Sequence, residues 1–283
     1  ILARGAADLK AARELLAKDG IEVRDYVCDV AKAADIVKTH EKITADLGPV
    51  DILVNNAGTA RTMAFENISD EAWQEDLDLK LFAAIRFSRL VWPGMKTRKW
   101  GRIINVLNTY AKAPAASSAP TSVSRAAGMA LTKVMASEGG EHNILVNAML
   151  VGLIMSDQWV QRHAKQAPEM DFEVFAKNLA KGTPLGRIGT AEEFASMACF
   201  LASEQGRAAH AQKTTYAGRQ RGELAHVSSQ AFVFARHAVA LVLSVKGGSS
   251  RTGTARRVSH LLPTFTAFQK QIARRNAMIV GGT

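Results

Sequence analysis

The tetrapeptide NNAG, Asn55 to Gly58, stands directly behind the apolar run VDILV. Small residues at a strand end let a ligand approach the backbone closely, and open parallel sheets bind ligands beyond the carboxyl ends of their strands. A second glycine-rich set, Gly247, Gly248, Ser249, Ser250 and Gly253, follows the apolar run AVALVLSV (238–245). It has the look of a phosphate loop, but Arg251 occupies the place of the middle glycine and would crowd an approaching phosphate. MIVGGT (278–283) reads as a strand entering a loop of the same kind. The two cysteines, Cys28 and Cys199, lie in the apolar contexts DYVCDV and MACFLA. They read as buried free thiols, and no metal-ligand cluster is expected.

Elements must position these groups. Short β-branched runs alternate with helical patterns, which is the signature of βαβ units and a parallel sheet. Strands are expected at 21–30, 50–58, 101–108 and 142–152, with ILARG at the start as the tail of one more. Helical spacing of apolar residues marks 6–18, 31–47, 70–95 and 122–138, with Asp70 as an N-cap. AVALVLSV and NAMIV (276–280) are further candidate buried strands.

Charge divides the chain. Residues 1–206 hold 24 Lys+Arg against 25 Asp+Glu, whereas 207–283 hold 12 Lys+Arg against the single acid Glu223. The formal net charge of +10 therefore belongs to the last 77 residues. Their cations are scattered, and Tyr216, Phe232, Phe234, Phe265 and Phe268 do not alternate with them. Nucleic acid is accordingly not the expected partner. The boundary near Gly206 separates a domain at 1–206 from a basic extension at 207–283, read as poorly ordered or loosely helical sequence, an altered reading frame being one origin. No apolar run approaches the ~18–20 residues of a membrane span. The first residues lack the charge layout and cleavage site of a signal peptide, and the first residue is not Met, which reads as a fragment or an incomplete gene model. A reducing, cytoplasmic setting is expected.

NNAG, the CDV turn (Cys28–Val30), the helix from Trp73 to Met95, the GRIINV strand and PLGRIGTAEEFASMACFLAS (184–203) fall in one order over about 200 residues. Together they resemble the short-chain dehydrogenase/reductase family. That resemblance implies a doubly wound, Rossmann-like α/β sheet with helices on both faces. It also implies hydride transfer between a nicotinamide cofactor and a small carbonyl or alcohol substrate, in a homo-oligomer. Carried over by position, Asp29 and Val30 are the adenine contacts, and Asn55, Ala57 and Gly58 line the wall near ribose and nicotinamide. Gly152 and Ser156 belong to the loop that touches carboxamide and phosphates. Arg4 stands where NAD-preferring members carry an acid. An arginine suits a 2′-phosphate, so NADP is expected, with NAD as second choice; the other reading of Arg4 is a solvated surface residue.

The chain departs from the family in two respects. Where the family places Asn, Ser, Tyr and Lys, this sequence has Lys80, Asn108, Thr121 and Arg125. Thr121 and Arg125 share one helix face, four residues apart. A threonine hydroxyl is a far weaker acid than a phenol of pKa ~10, and Arg125 can bind ribose hydroxyls but cannot relay protons. Asn108 can donate to a carbonyl oxygen. Lys80 and Tyr110 are the candidates for the proton, against the plainer readings of a lysine paired with a carboxylate and a tyrosine packed on a loop. The family also opens with a strand and a glycine-rich phosphate loop. This sequence begins one strand later, so the sheet is expected to be incomplete at that central position, with two unpaired inner edges. A truncated, non-catalytic scaffold is therefore the alternative to an enzyme.

Overall fold

The computed structural model describes residues 1–208 and 276–281. AVALVLSV, the Gly247–Gly253 set and most of the basic extension lie outside them. The strands are β1 (Leu2–Ala3), β2 (Tyr26–Val27), β3 (Ile52–Asn55), β4 (Thr62–Met63), β5 (Gly101–Asn108), β6 (Ala119–Pro120), β7 (Ile144–Val151) and β8 (Ala277–Val280). The helices are α1 (Ala6–Lys18), α2 (Ala33–Leu47), α3 (Asp70–Leu77), α4 (Ala83–Arg98), α5 (Thr121–Gly139), α6 (Asp157–Gln166), α7 (Phe172–Ala180) and α8 (Ala191–Ala202). The expected helices and strands at these places are present, and the strand expected over 21–30 narrows to two paired residues. Six strands form one sheet in the order β2-β1-β8-β3-β5-β7, every described pairing parallel.

Parallel sheets are covered on both faces, and the period of two along each strand divides the core accordingly. Leu53, Ile103, Val146, Met278 and Val280 pack with Ile36, Phe87, Val91, Met95 and Ala136 of α2, α4 and α5. Ile52, Val54, Ile104, Met149 and Ile279 pack with Phe194, Ala198 and Leu201 of α8 on the other face. The doubly wound class is as expected. Cys28 is buried and Cys199 half-buried, and neither is in a disulfide.

β8 corrects the expected gap at the centre of the sheet. The strand lies between β1 and β3, with Leu53 opposite Met278 and Asn55 opposite Val280 on one side and Leu2 opposite Val280 on the other. The position that is first in the family's chain order is thus filled by the last described segment, and residues 276–281 belong to the sheet rather than to an appendage. Asn276 anchors the entry: its side-chain Nδ2 donates to Leu47 O at 2.7 Å and Pro49 O at 3.2 Å. Its carbonyl accepts from the N–H groups of Asp51 and Ile52 at 2.8 and 3.1 Å. At the exit, Gly281 N–H donates to Leu2 O at 2.8 Å and Asn56 N–H to Val280 O at 3.0 Å. A Cβ on Gly281 would lie 2.9 Å from Leu2 O, so the close approach there favours glycine.

β8 supplies partners for two inner strand edges and buries three apolar side chains, each worth about 1.5–3 kcal/mol. Deletion of residues 276–283 is therefore expected to abolish the single cooperative unfolding transition followed by circular dichroism. Ile279→Ala should cost about 2–5 kcal/mol in urea denaturation. A truncated chain with an unchanged unfolding midpoint would show that β8 does not close the sheet.

Candidate active site

The site is built where α3 turns into α4 and faces the start of α5. Ser69, rather than the expected Asp70, caps α3: its hydroxyl accepts from Ala72 N–H at 3.3 Å, and Asp70 and Glu71 occupy the first turn. Acids there complement the helix dipole. Between α3 and α4 the helix widens into a π turn over Asp78–Phe82 that contains Lys80, an irregularity that recurs at functional sites. α5 begins at Thr121, directly after the two-residue antiparallel ladder of β4 and β6.

Lys80 and Asp76 are four residues apart, and their side chains are 0% and 1% exposed. The Lys80 ammonium binds one carboxylate oxygen of Asp76 and donates to Thr121 Oγ1 at 2.7 Å. The other oxygen of Asp76 accepts from Ser124 Oγ at 2.7 Å. Thr121 Oγ1 in turn donates to Arg61 O at 2.7 Å and accepts from Arg61 N–H at 3.1 Å. Burial pulls Lys80 down to about 8, with Asp76 opposing that shift and the charges of Arg125 and Arg61 adding to it. A small cavity of about 10 Å³ lies beside Lys80, bordered by Asn55, Ala57 and Val280. That is close to the room one water needs.

Arg125, one turn beyond Thr121, donates Nη1–H to Val106 O at 2.8 Å, while its Nε is buried without a partner. Burial lowers its guanidinium to about 10, so it stays charged at neutral pH. Nη2 passes so close to Gly58 that a Cβ there would lie 2.2 Å from it, and 3.6 Å from Lys80 Cγ. A side chain on the last residue of NNAG would therefore push the Arg125 tip aside. Asn108 ends β5 with a buried Oδ1 that has no partner.

Other sequence candidates lie differently. Tyr110 sits half-buried on the 3-10 turn Thr109–Ala111 and makes no hydrogen bond to the Lys80 cluster. Asn55 directs its amide nitrogen into the sheet, where Nδ2 donates to Asn105 Oδ1 at 2.8 Å and, at 3.4 Å, to Ser88 Oγ, while its Oδ1 is buried without a partner. Ala57 is buried, which leaves Gly58 at the wall. Val30 is 3% exposed, so its side chain belongs to the core and only its backbone can meet a ligand. Asp29 closes its turn by accepting from Ala31 N–H at 3.2 Å. Arg4 is exposed just beyond β1. Gly152 and Ser156 follow β7, with Ser156 exposed at the start of α6. Arg4, Asp29 and Gly281 thus follow neighbouring parallel strands at their carboxyl ends, the crevice where dinucleotides bind in open sheets.

Sequence reading missed Asp76, Ser124 and Arg61. A signal for the first two was present: Asp76 precedes Lys80 by four residues and Ser124 follows Thr121 by three, both same-face helical spacings. Arg61 comes from another loop and left no such signal.

A family model described as enoyl-(acyl carrier protein) reductase matches residues 1–218. Acetoacetyl-CoA reductase of Rhizobium meliloti is 32% identical over 204 residues, 72% of this chain and 80% of that protein. L-sorbose reductase of Gluconobacter frateurii, solved with NADPH and L-sorbose, superposes with a TM-score of 0.74 at 31% identity, covering 79% of this chain and 86% of the other. A short-chain oxidoreductase of Pseudomonas aeruginosa, solved with NADPH and described as having an atypical catalytic centre, gives 0.70 at 33% identity, with 78% and 86% covered.

Thr121 Oγ1 joins α5 to Lys80 and to the Arg61 backbone, so Thr121→Ala removes one partner each from Lys80 Nζ, Arg61 N–H and Arg61 O. A loss of about 1–3 kcal/mol is expected in urea denaturation. Thr121→Ser, which keeps the hydroxyl, should stay within about 1 kcal/mol; equal losses for both would put the effect on packing.

Proposed function

Because the chain belongs to the short-chain dehydrogenase/reductase family, we propose that it interconverts a small carbonyl compound and its alcohol with NADP(H), using Lys80 rather than a tyrosine to exchange the proton. The observation that carries this reading is the buried hydrogen-bonded line Asp76–Lys80–Thr121 beside Gly58 and Arg125.

Several features of the chain suit the cofactor. Arg125 has an unpartnered Nε–H and a permanent charge for ribose hydroxyls. Gly58, having no side chain, lets the Arg125 guanidinium lie against the backbone at the wall. Arg4 is exposed beyond β1, where a 2′-phosphate favours a guanidinium. Asp29 and the Val30 backbone are assigned to the adenine side, and Gly152 and Ser156 to the carboxamide side.

NADPH, when bound, supplies the hydride that turns the carbonyl carbon into an alcohol carbon. The protein handles the charge left on the oxygen. Asn108, as the last residue of β5, orients the carbonyl through its amide N–H. Thr121 is too weak an acid to supply the proton on its own. Its hydroxyl serves as a conduit, turning from Arg61 O to the substrate oxygen while Lys80 Nζ replaces the proton it gives up. In the oxidative direction the proton returns to neutral Lys80. Tyr110 has no part in this line. Relatives of this chain include acetoacetyl-CoA and 3-oxoacyl-[acyl-carrier-protein] reductases, which supports a keto substrate. Pairing of protomers through α4 and α5 completes the proposal, and among the described residues no helix is long and apolar enough to cross a membrane.

Carbonyl reduction uses the protonated lysine, so its rate should fall as pH rises through about 8, while alcohol oxidation should rise over the same range. Lys80→Met should lower reductive kcat about 10²–10⁴-fold. Retention of full activity would move the proton to another group, with Tyr110→Phe as the next test. Gly58→Ala displaces only the tip of Arg125, so stability should change little while NADPH binding, read by fluorescence titration, weakens about tenfold or more. No saturable NADPH binding by the unaltered chain would leave the scaffold reading in its place.

A further inference from the structure

Asp76 is a carboxylate that the proposed reaction does not itself consume, buried where an unpaired charge costs several kcal/mol. It is 3% exposed and lies on α3, two residues before the π segment and one turn before Lys80 within it. Both of its oxygens are engaged, one by Lys80 Nζ and the other by Ser124 Oγ at 2.7 Å. Thr121 O, at 3.1 Å, is the alternative acceptor for the single hydrogen of Ser124, so its hydroxyl sits between the carboxylate and the start of α5. The carboxylate is therefore held from two helices, and the ammonium it binds is aimed at Thr121 Oγ1, 2.7 Å away.

We propose that Asp76, fixed by Ser124, is the positioning residue for Lys80: it keeps the ammonium charged in a buried place and in line with the Thr121 hydroxyl. The inference rests on Lys80 being the proton-exchanging group. Three charged groups act on the ammonium from the elements packed around it: Asp76 from α3, Arg125 from α5 and Arg61 from the loop after β3. Asp76 alone among them favours the charged form, and the two arginines oppose it. A lysine in this pocket without Asp76 would face two cations and a low-polarity surround, and would release its proton at lower pH. Asp76 and Lys80 thus function as a pair, the carboxylate sustaining the charge that the ammonium needs as an acid.

The test uses the full chain, NADPH and a small β-keto ester whose reduction is followed by NADPH absorbance across pH 5.5–9.5. Asp76→Asn is expected to move the alkaline fall in kcat down from near 8 by about 1–3 pH units, while the activity remaining at low pH stays within a few-fold of the unaltered chain. In the Lys80→Met background, Asp76→Asn is expected to change the residual rate by less than about twofold, because the carboxylate acts only through the ammonium. A loss of rate at every pH with the fall still near 8 would overturn the proposal, as would a much slower double variant. Where Asp76→Asn alone does not fold, the double variant removes both charges and is compared with Lys80→Met, and the same twofold criterion decides. Undiminished reduction by Lys80→Met would instead refute the Lys80 reading on which the proposal stands, so the two failures are told apart.

Discussion

The backbone pairing of β8 is the constraint on which the remaining structure depends. A parallel sheet buried on both faces cannot leave unpaired N–H and C=O groups at its centre without the cost of desolvating them. β1 with β2 lies on one side of this strand, and β3, β5 and β7 lie on the other. β8 is the only strand of the described sheet that bonds both groups. It also sets the spacing between Arg4 and Asp29 on one side and Asn55–Gly58 on the other. The two walls of the crevice are thus held at a fixed distance by a segment far from both in sequence.

The second organising element is a small set of buried charges. Lys80, Asp76 and Arg125 would each be expensive alone in this position, and hydrogen bonds to Lys80 Nζ, both Asp76 oxygens and Arg125 Nη1 offset that cost. Asp76 takes its bonds from Lys80 and Ser124, Thr121 gives and receives three, and Arg125 reaches the Val106 carbonyl. Arg125 Nε and Asn108 Oδ1 are buried without a partner. The plainer reading of Lys80, a lysine paired with a carboxylate, is correct as a description of its contacts. The pairing is also what allows a buried lysine to remain charged near neutral pH.

In the proposed mechanism, a threonine in place of a phenol changes how a proton can reach the substrate. A phenol is acid and conduit in one group, whereas in that mechanism the roles are divided between an ammonium that holds the proton and a hydroxyl that passes it on. On the same reading Arg125 keeps the charge that a lysine would carry on α5 without relaying protons. The four residues then form one consistent set rather than independent losses.

Much of this was legible in the order of residues alone. Period-two and period-3.6 patterns placed β3, β5, β7, α1, α2 and α5, because side-chain direction follows directly from local geometry. Lys80, Asn108, Thr121 and Arg125 were singled out by counting along the resemblance to the family's pattern. What the sequence could not determine is which distant edges would pair: NAMIV was recognisable as a strand, but its place between β1 and β3 depends on contacts more than 200 residues apart. The same limit applied to Asn55, whose type suggested a cofactor wall while its rotamer joined Asn105 and Ser88 inside the sheet. It applied also to Arg61, which meets Thr121 across 60 residues. Local chemistry is written in neighbouring residues. Pairing of edges and satisfaction of buried polar atoms are decided only when the whole chain has packed.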